Sequence, residues 1–187
     1  FLYQAQADIL KKMNNKKAAL ALLDEAIKNL PDDPELIYAE VLLLDPFTDR
    51  DKLDKTLKQL LAIEPNSPTY LNAYAYTLAL QNRRLKEARK YAELALEFAP
   101  EQASILDTLG YISFLQNDFD TALKVLGQAY EISQNVNIGI RYAKALYMQG
   151  ALTQVSDVLH QLKQKHVNAP QLQQLDGLIL PVTVKKS

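Results

Sequence analysis

The chain contains no cysteine and no tryptophan. The absence of cysteine removes disulfides, thiol catalysis and cysteine-based zinc sites. It suits an oxidising compartment, although many cytosolic domains share it. Only 2 histidines occur, His160 and His166. They do not fall on one helical face, and no acidic residue completes a metal site by local spacing. Glycine is scarce (5 in 187 residues) and proline modest (8), which argues against a sandwich of short strands and tight turns. Neither sign of charge dominates: 21 basic and 22 acidic residues leave a net charge of −1. The footprint of a general nucleic-acid binder is therefore missing. No run of about 18 apolar residues offers a membrane span. There is no glycine-rich phosphate loop and no Ser–His–Asp motif. We expect no catalytic residues, no cofactor and no metal. The chain starts at Phe1 without a basic, then apolar, leader. It reads as a piece of a longer protein, so the lack of a signal peptide says nothing about compartment.

What is present is periodic. Pro31, Pro65 and Pro100 are 34 and 35 residues apart, and each follows an amphipathic run: Ala18 to Leu30, Leu53 to Glu64, Leu85 to Ala99. A further step of 34 reaches Gln134, after a similar run from Phe119 to Ser133. Small residues keep the same phase. Ala7, Ala75, Gly110 and Ala143 centre the first helix of each unit. Ala19, Ala88 and Ala122 open the second, with Ala26, Ala95 and Ala129 two turns on. Two helices approach closely only where side chains are small, and proline ends the second helix because it lacks an N–H and clashes with the preceding turn.

A helix–turn–helix period of about 34 residues resembles the tetratricopeptide repeat (TPR). Ile105 to Tyr111, Asn117 to Leu123 and Ala129 to Glu131 carry the likeness best. The resemblance implies an all-α, right-handed superhelical solenoid of antiparallel pairs, about eleven helices in all, as one domain over 1–180. The repeats fall at about 1–32, 33–66, 67–101, 102–134 and 135–168, followed by a capping helix over 170–180 and a disordered tail over 181–187. One extra residue sits near Asn82, Arg83 and Arg84. Two units depart from the pattern. Val41, Leu53 and Leu60 are large in the second, whose turn, Asp45 to Arg50, signals a long loop; Val155 and Leu162 are large in the fifth. Wider helix separation is expected in both.

In this family, set positions of the first helix face the concave groove. Carried onto this chain they are Gln4, Asp8 and Lys11; Tyr38, Leu42 and Asp45; Asn72, Tyr76 and Ala79; Asp107, Tyr111 and Phe114; and Ile140, Lys144 and Tyr147. The groove is thus aromatic at its centre. Tyrosine supplies wide, stiff contact area and one hydroxyl for a peptide backbone. Tyr74 and Tyr142, directly before the small residue, read instead as seam residues. Some TPR domains grip a chaperone's terminal carboxylate with Lys, Asn and Arg on successive first helices. Here Asn72 with Tyr76 and Asp107 with Tyr111 break that pattern; only Asn137 and Arg141 match part of it.

Two basic tips, Lys11 to Lys17 and Arg83 to Lys90, read as solvated edges with ordinary surface pairing. The acidic pairs Asp32 with Asp33 and Asp118 with Asp120 sit at helix starts, where carboxylates accept from free backbone N–H groups.

A narrower likeness covers about Leu57 to Leu162. Leu60 to Pro68, Leu71 to Ala79, Ser104 to Tyr111 and Gly139 to Leu146 are similar to the C-terminal repeats of bacterial cell-envelope TPR lipoproteins, with Ala75 in place of the usual glycine. That resemblance implies a non-enzymatic scaffold in the periplasm or at the outer membrane, docking a processing protease with its substrates. A cytoplasmic adaptor is the other setting. The expected partner is a protein or peptide, with no nucleic acid and no insertion of this segment into a membrane. Alternatives are self-association through Leu172, Leu175, Leu178, Ile179 and Leu180, or a regulatory TPR part of a larger enzyme or assembly protein.

Overall fold

A computed structural model describes residues 2–165 together with Pro170 and Leu172. The described residues form ten α-helices and no strand. They are α1 (Leu2–Lys12), α2 (Lys16–Asn29), α3 (Pro34–Val41), α4 (Arg50–Ile63), α5 (Pro68–Leu80), α6 (Leu85–Phe98), α7 (Ala103–Leu115), α8 (Phe119–Ser133), α9 (Val136–Met148) and α10 (Leu152–Lys165). The expected eleventh helix and the tail lie outside the described residues, apart from Pro170 and Leu172.

Local chemistry sets most boundaries. Asn15, Asp33, Asp118 and Asn135 cap α2, α3, α8 and α9, each accepting from backbone N–H groups of the first turn. Four first helices close in the same way. Asn14, Asn82, Asn117 and Gly150 take positive φ of 58°, 48°, 61° and 74°. The next residue's N–H then donates back to Leu10, Leu78, Ser113 or Leu146. Asparagine and glycine suit this left-handed turn because they tolerate it at least cost. The second helices end differently. Leu30, Glu64 and Ala99 each precede a proline, which bars the helical region to them. All three adopt φ between −128° and −144°. After α8 no proline follows, and Gln134 closes that helix at φ 52°.

The small residues of the period form the seam. Ala19, Ala26, Ala75, Ala88, Ala95, Ala122 and Ala129 are fully buried. At Gly110 an added Cβ would come within 2.8 Å of Leu126 Cδ2, so the α7–α8 crossing requires glycine. Each helix packs on its chain neighbours, and α5, α7 and α9 also meet one another along the inner face. The core is accordingly a ribbon from Ile37 through Leu172, with a smaller cluster of Ala7, Ala19, Leu23, Ala26, Leu36 and Leu43 at the N-terminal end.

The two irregular units are accommodated in different ways. In the second, α3 stops at Val41, giving 8 residues where α5, α7 and α9 have 13. Asp45 Oδ1 accepts from the Phe47 and Thr48 amides, while Asp49 Oδ2 accepts from the Asp45 amide. Beneath this loop the large side chains leave room for a polar knot. Glu40, nearly fully buried, pairs with Lys52 at 2.7 Å and accepts from Thr56 Oγ1, and Lys52 also reaches Asp24 at 2.9 Å. In the fifth unit Leu162 fills the place of an alanine, and the small residue has moved to the facing helix. A Cβ on Gly139 would lie 2.6 Å from Leu162 Cδ2 and 2.8 Å from Tyr130 Cε2. Both pairs, α3 with α4 and α9 with α10, meet less extensively than α5 with α6 or α7 with α8.

Candidate functional site

The first helices line a concave face on which, among the described residues, three depressions stand out. The N-terminal one, about 340 Å³, is bounded by Gln4, Asp8, Lys11, Glu35, Tyr38, Leu42 and Tyr70. The largest, about 720 Å³, lies between α7 and α9 and is bounded by Tyr76, Ser104, Asp107, Asn137, Ile140, Arg141 and Lys144, among others. The third, about 230 Å³, adjoins it and is walled by Tyr111, Phe114, Arg141 and Lys144.

The residues assigned to the groove from sequence distribute as follows. Tyr76, Asp107, Ile140 and Lys144 line the largest depression, and Tyr111 and Phe114 the adjoining one. Tyr38 stands in the N-terminal one, its ring 5.2 Å from that of Tyr70. Phe114 is half-buried, edge-on to Phe119 at 5.6 Å. Tyr147 is exposed at the end of α9, and Asn72 is half-buried on α5; neither lines these depressions. Two assignments fail. Ala79 is fully buried, because the last turn of α5 packs on the core. Asp45 follows the early end of α3 and caps the loop instead, while Leu42, the exposed C-cap of α3, still lines the N-terminal depression. Tyr74 is fully buried and donates to Asp54; Tyr142 is half-buried against Tyr130 and Gly127.

Arg141 organises the central groove. Its guanidinium donates to Asp107 Oδ2 and, at 3.0 Å, to the Tyr76 hydroxyl. It lies 4.8 Å from the Tyr111 ring centroid and 5.6 Å from that of Tyr76. One side chain on α9 thus ties α7 and α5 together and holds two tyrosine rings by cation–π contact. Burial pushes the Asp107 carboxyl above its ordinary value, and Arg141 partly offsets that rise. Burial also opposes the charge on Arg141, yet Asp107 and Tyr76 together hold the guanidinium above its ordinary value. Asp107 Oδ1 and Asn72 Oδ1, at matching places on α7 and α5, are buried with no hydrogen-bond partner among the described residues.

From sequence, Arg141 matches part of a carboxylate clamp, and no local pattern assigns it to Asp107. Arg141 stands two before Ala143, where the other units carry the half-buried Ala73 and the buried Thr108, so the position borders the seam. The available signal was chemical. An arginine bordering the seam must find a carboxylate, and Asp107 is the one that the period places across from it.

The basic tip on α6 is broken up by ion pairs between repeats. Arg84 pairs with Asp54 and lies 5.7 Å over the Tyr74 ring; Arg89 pairs with Asp118 at 2.8 Å and with Glu93. Arg83, Lys86 and Lys90 stay exposed. Among the described residues no cluster of three or more His, Cys, Asp or Glu could hold a metal ion, and no helix is long and apolar enough to cross a membrane.

This architecture of stacked antiparallel pairs with a lined inner face is that of a TPR solenoid. Two tetratricopeptide-repeat patterns match the chain, over residues 2–33 and 113–179. The chain is built of tetratricopeptide repeats. It is 32% identical over 130 residues to the TPR repeat-containing protein PA4667 of Pseudomonas aeruginosa, covering 70% of this chain and 22% of that protein. It therefore spans about a fifth of that relative's length. Among solved structures, a thermophilic TPR protein of Thermus thermophilus superposes with a TM-score of 0.78 at 20% identity, over 95% of this chain and 97% of that one. PilW, a widely conserved type IV pilus biogenesis factor, superposes with a TM-score of 0.80 at 19% identity, over 87% and 76%. At such identities the likeness is one of fold.

Proposed function

We propose that this chain is a non-enzymatic scaffold that holds a segment of a partner protein along its concave face. TPR solenoids generally mediate protein–protein contact through such surfaces. The observation that carries the reading is the Tyr76–Arg141–Tyr111 stack between two open depressions. Aromatic walls held rigid before binding lower the entropy cost of capturing a flexible segment. The test is capture of partners from a cell extract by the purified domain. A Tyr76→Ala, Tyr111→Ala double variant that keeps its helical circular-dichroism signal should lose the partner, as should Lys144→Glu. Unchanged capture by all of them would place the binding surface elsewhere.

The setting we propose is the bacterial envelope, with this segment as part of an anchored adaptor that brings a protease to its substrates. The likeness of Leu57 to Leu162 to envelope TPR lipoproteins supports it. Fractionation of the full-length gene product tests the location. Recovery in the periplasmic or membrane fraction agrees with it, and a purely cytosolic product refutes it.

A further inference from the structure

The pocket of about 230 Å³ walled by Tyr111, Phe114, Arg141 and Lys144 has a specific chemistry. Its volume is that of roughly eight waters, enough for one large side chain. Its walls are two aromatic rings and two cations, and the cations are not equivalent. Arg141 is already committed to Asp107 and to the Tyr76 hydroxyl. Lys144 is exposed on α9 and makes no ion pair or hydrogen bond within the described residues. With Asp107 neutralising Arg141, this end of the groove carries one uncompensated positive charge, at the lip of an aromatic pocket. The N-terminal depression has the opposite balance, with Asp8 and Glu35 against Lys11. An acidic segment is therefore drawn to one end of the groove and repelled from the other.

We propose that this pocket seats an aromatic or branched aliphatic side chain of an extended partner segment, whose adjacent Asp or Glu pairs with Lys144. The inference rests on the groove being the binding face and adds the chemistry of what it takes. The apolar side chain gains burial against Tyr111 and Phe114, and the carboxylate satisfies a lysine that otherwise faces only water. A segment with Lys or Arg at that place meets the uncompensated Lys144 as a like charge and is rejected.

The experiment is fluorescence anisotropy of the 187-residue chain with labelled peptides of about ten residues, roughly 30 Å when extended. Each is acetylated and C-terminally amidated, so that side chains supply the only carboxylates. One carries phenylalanine flanked by glutamates, a second the same phenylalanine flanked by lysines, and a third alanine flanked by glutamates. The first should bind at least roughly tenfold tighter than either of the others. Lys144→Glu, an exposed substitution that leaves the seam intact, should abolish or reverse the preference for glutamate over lysine. Equal binding of the first two peptides, an unchanged preference in Lys144→Glu, or no binding of any peptide overturns the proposal. The groove reading has its own arm. If the double tyrosine variant loses its captured partner while these peptides show no preference, the scaffold stands and the acidic–apolar chemistry falls.

Discussion

Arg141 places a charge beside the seam of the solenoid and surrounds it with everything that charge requires: a carboxylate, a hydroxyl acceptor and two ring faces. Replacing it by methionine keeps much of the volume but leaves Asp107 half of a broken pair. Breaking a fully buried pair costs about 3–5 kcal/mol; with 23% of the arginine side chain exposed, Arg141→Met should cost nearer ~2 kcal/mol in chemical denaturation. Adding Asp107→Asn should recover most of the loss. Asp118 illustrates the opposite electrostatic sign. Arg89 and the first turn of α8 hold its carboxyl below the ordinary 3.8. The folded chain therefore takes up that proton less readily than the unfolded one. The stability from this group is present above about pH 3.8 and is lost as pH falls through the lower folded value. Asp118→Asn should flatten the acid limb of the stability profile measured by thermal melting. A parallel acid limb in the variant would contradict the assignment.

Among the helices, the fifth unit shows how a repeat keeps its geometry after losing its consensus residues. The spacing predicts alanine at 162, and leucine there implies a wider pair. The α9–α10 contact is less extensive than those of the two pairs before it and about equal to that of α1–α2. It is kept in register by Gly139, into whose missing side chain Leu162 fits. Gly139→Ala should therefore destabilise by about 1–3 kcal/mol through overpacking. Combined with Leu162→Ala the two losses should not add, because the smaller residue makes room for the new methyl group. Strict additivity in urea titrations would show that the two sites do not meet. The second unit is the contrasting case. Its shortened α3 removes Asp45 from the groove helix and leaves Leu42 as an exposed C-cap at the N-terminal depression.

For the molecule as a whole, stability is a chain of nearest-neighbour contacts rather than the property of one centre. Amide exchange should be slowest in α5 through α8, where the pairs meet most extensively, and faster in α3, α4 and α10. Leu57, fully buried on α4, offers a direct check. Leu57→Ala should cost about 2–5 kcal/mol locally, speeding exchange in α3 through α5 while α8 and α9 change little. Uniform acceleration along the chain would mean that the solenoid unfolds as one unit.

The sequence by itself determined the helical period, the phase of the small residues, the proline stops and the first-helix positions of Tyr76, Asp107, Tyr111 and Lys144. These follow from local rules: close helix approach demands Ala or Gly, and proline cannot continue a helix. Only the tertiary structure decided which residues meet across repeats. That Arg141 reaches back over α7 to Tyr76, 65 positions earlier, depends on the angle at which three helices stack. That Gly139 answers Leu162 depends on how large side chains share a finite space. Periodicity is written into single segments, whereas the groove is a property of several segments packed together.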